Sequence, residues 1–348
     1  MKNKNIVPIV FSFDNNFYIP AVVTFYSMIN NSNKDTFYDI FIMIEFDSFA
    51  KENKDDLLRF EKHFSDKCRI NFVDMKGFGD DFAIKDKRFN FSVYYRLFIH
   101  RYITYDKVIF SDVDIVILKD LYAVYTADIS DCYLGAVKQT KINSLSDVKY
   151  KKYINKASVI KKGNYFNAGF LLMNLSKIRE GNYTDEFIRL AKMGFTNNDQ
   201  DILNLVFENK IKYLPIKYCY IPMGSYFANI DRSKLAQQYT QEEIREYEHD
   251  PAIIHYAGTK PWNINTLDIT DLELNNYKLW WDELYRCLAF INNNAIFELY
   301  RKLNNNIIAI GKEYNERQTV YRAIKRLLFI ISKRLGIYQF LKSQNYVN

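Results

Sequence analysis

Asp112 and Asp114 stand one residue apart between two short apolar runs, in Lys107-Val108-Ile109-Phe110-Ser111-Asp112-Val113-Asp114-Ile115-Val116-Ile117. The first run reads as a buried strand and the second as a strand that resumes beyond the acids, so the carboxylates sit at a strand end. Such a pair can hold a divalent cation through hard oxygen ligands, leaving positions for water and a diphosphate. It can equally be a polar strand terminus with an Asx turn. A third donor is His255, delivered to the end of a short strand by Pro251-Ala252-Ile253-Ile254-His255, with Gly258 allowing a tight turn before Lys260, Pro261 and Trp262. An imidazole near the acid pair can complete a cation site; a lone histidine can also be a satisfied core residue.

Other polar residues fall where ligands bind in layered α/β folds. Ser12-Phe13-Asp14-Asn15-Asn16-Phe17 closes the first apolar run. Arg96 lies on a helix expected over 93–103, where a cation can face a phosphate or pair with a surface acid. Asn167-Ala168-Gly169 opens the apolar run Phe170-Leu171-Leu172-Met173, which puts a side-chain amide and a close-approaching backbone at a strand start. That suits a hydroxylated ligand, and it also suits a plain turn. Asn197-Asn198-Asp199-Gln200-Asp201 opens a helix; capping explains one acid but not Gln200 between two of them.

The elements that must position these residues follow from hydrophobic period. Residues 6–13 read as a strand, 19–29 as a helix, 37–45 as a strand, 50–64 as an amphipathic helix and 70–73 as a third strand. Alternation of this kind predicts a mostly parallel sheet covered on both faces. Ligands of such sheets bind at the carboxyl ends of the strands, where Asp14 and the Asp112/Asp114 pair both fall. No G-x-G-x-x-G follows the first strand, so a dinucleotide fingerprint is absent. Residues 139–162 are polar, Lys-rich and unpatterned, which predicts a long loop of the kind that is often a lid or disordered.

At 348 residues, with 48% apolar and 17% aromatic residues, the chain can bury a large core in one or two domains. No apolar run approaches the roughly 20 residues of a membrane-spanning helix, and residues 6–11 are too short for a signal segment. Cys68, Cys132, Cys219 and Cys287 are scattered, which fits a reducing cytoplasm and gives neither a zinc cluster nor a disulfide framework. The net charge of +7 comes wholly from residues 317–348, which hold seven bases and no acid. Apolar residues at 320, 324, 327, 328, 331 and 335 follow helical spacing between those bases. A helix packed on the body shares this spacing but has no need of seven bases without an acid, so the amphipathic tail over 317–348 is expected to lie on an anionic membrane.

Six segments in this order resemble glycosyltransferase family 8, retaining transferases that include bacterial lipopolysaccharide galactosyl- and glucosyltransferases and the glycogenins. They are Ser12-Phe13-Asp14-Asn15-Asn16-Phe17, Tyr94-Tyr95-Arg96-Leu97, Asp112-Val113-Asp114, Phe166-Asn167-Ala168-Gly169, Asp199-Gln200-Asp201-Ile202-Leu203-Asn204 and His255-Tyr256-Ala257-Gly258-Thr259-Lys260-Pro261-Trp262. The resemblance implies a GT-A type nucleotide-diphospho-sugar transferase fold, a Rossmann-like mixed, mostly parallel sheet over residues 1–265. A helical C-terminal region, 266–348, would follow, ending in the basic tail. It implies a UDP-hexose donor, glucose or galactose, and Mn²⁺ or Mg²⁺ held by Asp112, Asp114 and His255. It further implies that Asp14 bonds the uracil, that Phe17 lies against the base, and that Arg96 and Lys260 reach the diphosphate near the Gly258 backbone. Asn167, Asp199 and Gln200 would line the donor sugar, with Ser12, Val113 and Ala168 completing the donor contacts. Phe17 stands where many members have Tyr, which keeps the ring and lacks the hydroxyl.

Hexose transfer from UDP needs the departing diphosphate neutralised, which a cation with Arg and Lys does electrostatically. Retention usually points to a carboxylate nucleophile, but the matching position holds Gln200, so front-face attack by the acceptor is expected, with Asp199 and Gln200 orienting the sugar. The expected acceptor is a lipopolysaccharide or other cell-surface glycan, lipid-linked, met at the inner face of the cell membrane by a peripheral cytoplasmic enzyme. The contrasting reading is a noncatalytic module binding anionic membrane or nucleic acid through its tail. A degenerate fold should have lost one of Asp112, Asp114 and His255, and this chain keeps all three; no nucleic-acid recognition motif accompanies the tail.

Overall fold

A computed structural model describes residues 4–80, 82–83, 91–139, 164–195, 197–222, 235–258, 260–262, 271–301 and 329–333. Strands β1 (Asn5–Ser12), β2 (Thr36–Ile44) and β3 (Cys68–Asp74) alternate with helices α1 (Tyr18–Asn30) and α2 (Lys51–His63), as the apolar period predicts. Four strands follow, β4 (Lys107–Ser111), β5 (Ile115–Ile117), β6 (Leu134–Lys138) and β7 (Phe166–Asn174), and then β8 (Ile211–Tyr213) and β9 (Ile253–His255). The main sheet has the order β3-β2-β1-β4-β7-β6-β8. Among the described strands of that sheet only β7 runs against its neighbours, so the sheet is mixed and mostly parallel.

Both faces are covered, and the two-residue period of the strands sorts side chains between them. On one face Val7, Ile9 and Phe11 of β1 and Ile40 and Ile42 of β2 pack with Val22, Phe25 and Met28 of α1 and Leu57 and Phe60 of α2. On the other face Val10, Val108, Phe110 and Leu171 pack with Leu97, Phe98, Phe187 and Ile202. A buried aromatic such as Phe110 is worth about 3–5 kcal/mol against truncation to Ala.

The helix expected over 93–103 is a 3-10 stretch, Phe91–Phe98, that tightens before a single α-turn, Ile99–Tyr102. Two strands border the acid pair, but they belong to different sheets: β4 lies in the main sheet, whereas β5 pairs antiparallel with β9. The long loop expected over 139–162 lies outside the described residues apart from Gln139.

Helix α3 (Asn198–Val206) packs on β7, and α4 (Asp271–Cys287) packs on α1. Tyr277, Trp280, Leu284 and Ile291 of the C-terminal region share the core formed by β1 and α1. Asn292 donates to both Asp56 and Asn53 of α2, at 2.9 Å each, and Tyr18 donates to Asp56 at 2.6 Å. Of the basic tail, only 329–333 falls among the described residues; it is helical, and Ile331, one of its apolar-spaced residues, is fully buried in that same core.

His100 sits in the short helix before β4, its Nε2 at 3.0 Å from Thr184 Oγ1 and its ring against Phe187. Burial pushes its pKa down to about 4, whereas the unfolded chain titrates near 6.5. Between those values the unfolded state binds the extra proton, so the stability His100 contributes is present above about pH 6.5 and is lost as pH falls toward 4. This contribution is at most about 3 kcal/mol. His100→Gln should flatten the acid limb of stability between pH 6.5 and 4 in urea titrations; an unchanged limb would assign it to other groups.

Candidate active site

The site forms because β7 is reversed. Its first residues lie at the edge where β1 and β4 end, so a motif at a strand start meets a motif at a strand end. Ser111 pairs with Phe170, and one residue further the Asp112 N–H donates to the Gly169 carbonyl at 2.7 Å. The chain then leaves the main sheet through Val113 and Asp114 and enters β5, whose Ile115 pairs with His255 of β9. Tyr256 N–H donates to the Asp114 carbonyl at 2.9 Å, closing this junction. From below, the Thr24 hydroxyl of α1 shares its proton between the carbonyls of Val113 and Ile115, at 2.9 and 2.7 Å, which holds the backbone on both sides of Asp114.

Asp112, Asp114 and His255 thereby offer one donor atom each within 4.8 Å of one another. His255 Nε2 stands 3.3 Å from Asp114 Oδ1 and 3.7 Å from Asp112 Oδ2. Asp114 Oδ1 is buried and accepts no well-aligned hydrogen bond; the His255 imidazole beside it is its ion-pair partner. The other His255 nitrogen, Nδ1, is 3.8 Å from the Cys219 sulfur. Gly169 sets the closeness of the cluster: a Cβ there would stand 2.3 Å from His255 Cε1 and 2.8 Å from Asp112 Oδ2. Two carboxylates and an imidazole at this spacing suit a hard or borderline divalent cation.

Cationic side chains offset the buried acids. Arg96 is 6% exposed, and its guanidinium donates to Asp112 Oδ1 and the Ala168 carbonyl, both at 2.7 Å, while Nε is 3.0 Å from Asp199 Oδ2. Its Cζ lies over the Phe110 ring, 4.3 Å from the ring centre. Lys260 donates to Asp114 Oδ2 and to the Tyr256 carbonyl, across a turn in which Gly258 takes φ 106°. Burial opposes ionisation of Asp114, but Lys260 and His255 outweigh it and hold that carboxyl below its ordinary range. Burial also opposes protonation of His255, and Asp114 outweighs it, pushing the imidazole up to about 10. Burial raises Asp112, against the pull of Arg96. It raises Asp199 to about 7 despite Arg96 alongside.

The remaining sequence-predicted residues divide into two groups. On the sugar-motif side, the Asn167 amide is held at both ends, accepting from Gly169 N at 2.8 Å and donating to Gln139 at 2.9 Å. Ala168 is buried, with its N–H donated to Gln200 Oε1 at 2.9 Å. Val113 is a buried core side chain. On the β1 side, Ser12 ends the strand with a buried hydroxyl that has no partner. Asp14 caps the turn Asn15–Phe17 by accepting from Asn16 and Phe17 N–H, at 2.9 and 3.3 Å. Phe17 meets Trp262 edge-on at 6.1 Å, and Trp262 meets Trp280 of α4 at 4.9 Å. Lys260 and Trp262, two residues apart, thus join the acid cluster to the Asp14 turn.

Sequence reasoning missed Gln139, Tyr165, Asn204 and Cys219. Asn204 was open to discovery, since it lies four residues after Gln200 on the same helical face; Gln139 and Cys219 carry no local signal.

The mostly parallel sheet, with an Asp-x-Asp pair facing a histidine at its carboxyl edge, has the GT-A fold of glycosyltransferases. The architecture is similar to that of the bifunctional glycosyltransferase WbbM, with TM-score 0.65 and 25% identity over 87% of this chain and 52% of that one. The family model for glycosyl transferase family 8 matches residues 8–266, and the chain belongs to that family. It is 28% identical over 230 residues to glycosyltransferase GlyA of Streptococcus pneumoniae, covering 64% of this chain and 27% of GlyA. It is 28% identical over 264 residues to the lipopolysaccharide 1,2-glucosyltransferase of Escherichia coli, covering 72% of this chain and 71% of that protein. The chain therefore spans about a quarter of GlyA and half of WbbM.

Because a Cβ at position 169 has no room between His255 and Asp112, Gly169→Ala should push the two donors apart. Affinity for Mn²⁺, measured by calorimetry, should fall by about tenfold or more, with the far-ultraviolet circular dichroism unchanged. Wild-type Mn²⁺ affinity in this variant would show that the cluster is not a cation site.

Proposed function

We propose that the chain is a cation-dependent retaining hexosyltransferase that moves glucose or galactose from a UDP-sugar to a saccharide acceptor of a cell-surface glycan. The observation that carries this is the cluster of Asp112, Asp114 and His255, whose donor atoms converge within 4.8 Å at the carboxyl edge of the sheet. Those three residues would hold Mn²⁺ or Mg²⁺, which, when bound, supplies positive charge against the departing diphosphate. The acceptor class is supported by the likeness to a lipopolysaccharide glucosyltransferase.

The chain's own residues then take distinct parts. Ser12, Asp14 and Phe17 receive the uridine: Ser12 has a buried hydroxyl to offer, and Phe17 is a ring backed by Trp262. Lys260, beside Asp114, bonds the diphosphate from the Gly258 turn. Arg96 holds Asp112 and Asp199 in place and keeps a strong positive field next to the diphosphate. Asn167, Ala168, Asp199 and Gln200 line the hexose, with the Asn167 amide fixed by Gln139. A carboxamide is a weak nucleophile, so Gln200 orients the sugar and supports the charge that develops at the anomeric carbon while the acceptor attacks from the face of the leaving group.

We read residues 1–265 as the catalytic unit and 266–348 as a helical C-terminal region. Ile331, one of the tail's apolar-spaced residues, is buried in the protein's own core, so the membrane attachment proposed here is assigned to the bases of the tail. Each base near an anionic surface adds about 1 kcal/mol of attraction, enough in sum to hold the enzyme peripherally at the inner face of the cell membrane, near a lipid-linked acceptor.

Two measurements test this. Asp114→Asn, or EDTA added to the wild-type protein, should abolish turnover across a panel of UDP-sugars, followed by UDP release and product NMR; turnover that survives chelation would end the cation-dependent reading. Replacing Arg322, Lys325, Arg326 and Arg334 together by Gln should weaken low-salt binding to phosphatidylserine vesicles by about tenfold or more. Equal binding by both proteins would remove the membrane from the account.

A further inference from the structure

Beyond Asp112, whose N–H still donates to the Gly169 carbonyl, the β4 side of the β7 backbone is met by side chains. Asn204 exchanges two hydrogen bonds with Phe166, accepting its N–H at 2.9 Å and donating to its carbonyl at 3.0 Å. Gln200, one turn earlier on α3, accepts the Ala168 N–H through Oε1 at 2.9 Å. Asn204 also donates to the Gln200 carbonyl at 2.9 Å. The Gln200 carboxamide is therefore bound at its oxygen end to the strand, and its nitrogen end needs an acceptor.

That acceptor is Tyr165. Its ring is fully buried, and its hydroxyl oxygen accepts from Gln200 Nε2 at 3.1 Å. The hydroxyl proton is committed elsewhere: it is donated to Asp201 Oδ1 at 2.5 Å. Asp201 is 1% exposed and accepts further from Asn197, at 2.9 Å from the backbone N–H and 3.1 Å from the amide. Asn197 also donates to the Tyr165 oxygen at 3.3 Å. With its own proton spent on a carboxylate, the Tyr165 oxygen can only accept from Gln200, which fixes which end of the carboxamide is nitrogen. The Ala168 N–H independently demands oxygen at the other end. Each clamp enforces the same orientation.

We infer that Tyr165, locked by Asp201, is a positioning residue for the transfer reaction: it holds the Gln200 carboxamide in one orientation at the donor sugar. The inference rests on the proposed role of Gln200 beside the sugar. The same chain of bonds runs on through the Ala168 carbonyl to Arg96 and so to Asp112, which sets the amide and the cation-binding carboxylate in one frame. A clamp made only for stability would leave the rate alone, whereas a positioning clamp acts on the step in which geometry matters.

Tyr165→Phe keeps the buried ring and removes only the oxygen. In UDP-hexose turnover it should lower kcat by about tenfold or more while the donor KM stays within about twofold, because the uridine and diphosphate contacts are untouched. In a Gln200→Ala background the same substitution should change kcat by less than about twofold, since the clamp then has nothing to hold. The Gln200 side-chain amide protons, followed by NMR, should exchange slowly in wild type and about tenfold or more faster in Tyr165→Phe. An unchanged kcat in Tyr165→Phe, or full additivity with Gln200→Ala, would overturn the inference. If the wild-type protein turns over no UDP-hexose, the proposed reaction falls. The amide exchange then still decides whether Tyr165 clamps Gln200, and equal rates in the two proteins would sink the clamp.

Discussion

Three carboxylates, Asp112, Asp114 and Asp199, crowd one edge of the sheet, and Asp114 and Asp199 are buried. Ionised acids so close repel, and withdrawing them from water costs several kcal/mol each unless counter-charge stands beside them. Arg96 is that counter-charge, reaching two of the three acids from a position that is itself buried. Lys260 and His255 do the same for Asp114. Arginine suits the central position because its planar fork can bond a carboxylate, a second carboxylate and a carbonyl at once while stacking on Phe110, which a lysine could not do.

The first half of the fold was legible because β1 to β3 and their helices each carry a complete local signal: an apolar run of strand length, or an apolar stripe with a 3.6-residue period. The site was legible only as a set of separate pieces. Nothing local says that β5 leaves the main sheet to pair with β9, yet that pairing across about 140 positions in the chain is what seats His255 opposite Asp114. Arg96 shows the same limit: its identity as a site residue could be read, but a stretch of sequence does not reveal whether its guanidinium looks outward or is spent on Asp112, Asp199 and Ala168. Gly169 was partly visible, since a glycine at a strand start signals close approach; the atoms that approach, from His255 and Asp112, come from elsewhere in the chain.

The C-terminal region bears on the same edge from a different side. Trp280 of α4 contacts Trp262, and Trp262 contacts Phe17, so the ring at the end of β1 is propped by residues more than 240 positions later. Asn292, through Asn53, reaches Asn15 in the turn that Asp14 caps. Residues 271–301 are thus part of what shapes the edge, in addition to whatever they do with the tail.

β6 ends at Lys138 and β7 begins at Phe166, and the residues at the two ends of the connection both touch the site: Gln139 through Asn167, Tyr165 through Gln200. Among the described residues the pairing of β6 with β7 runs to Lys138 and Phe166, and the Gln139 N–H donates to the Tyr165 carbonyl one step beyond it, at 2.9 Å. The two anchors are therefore tied to each other by the same ladder that joins the strands. Sequence change at this rim meets a fixed boundary, because a substitution at Gln139 is felt at Asn167 and one at Tyr165 is felt at Gln200.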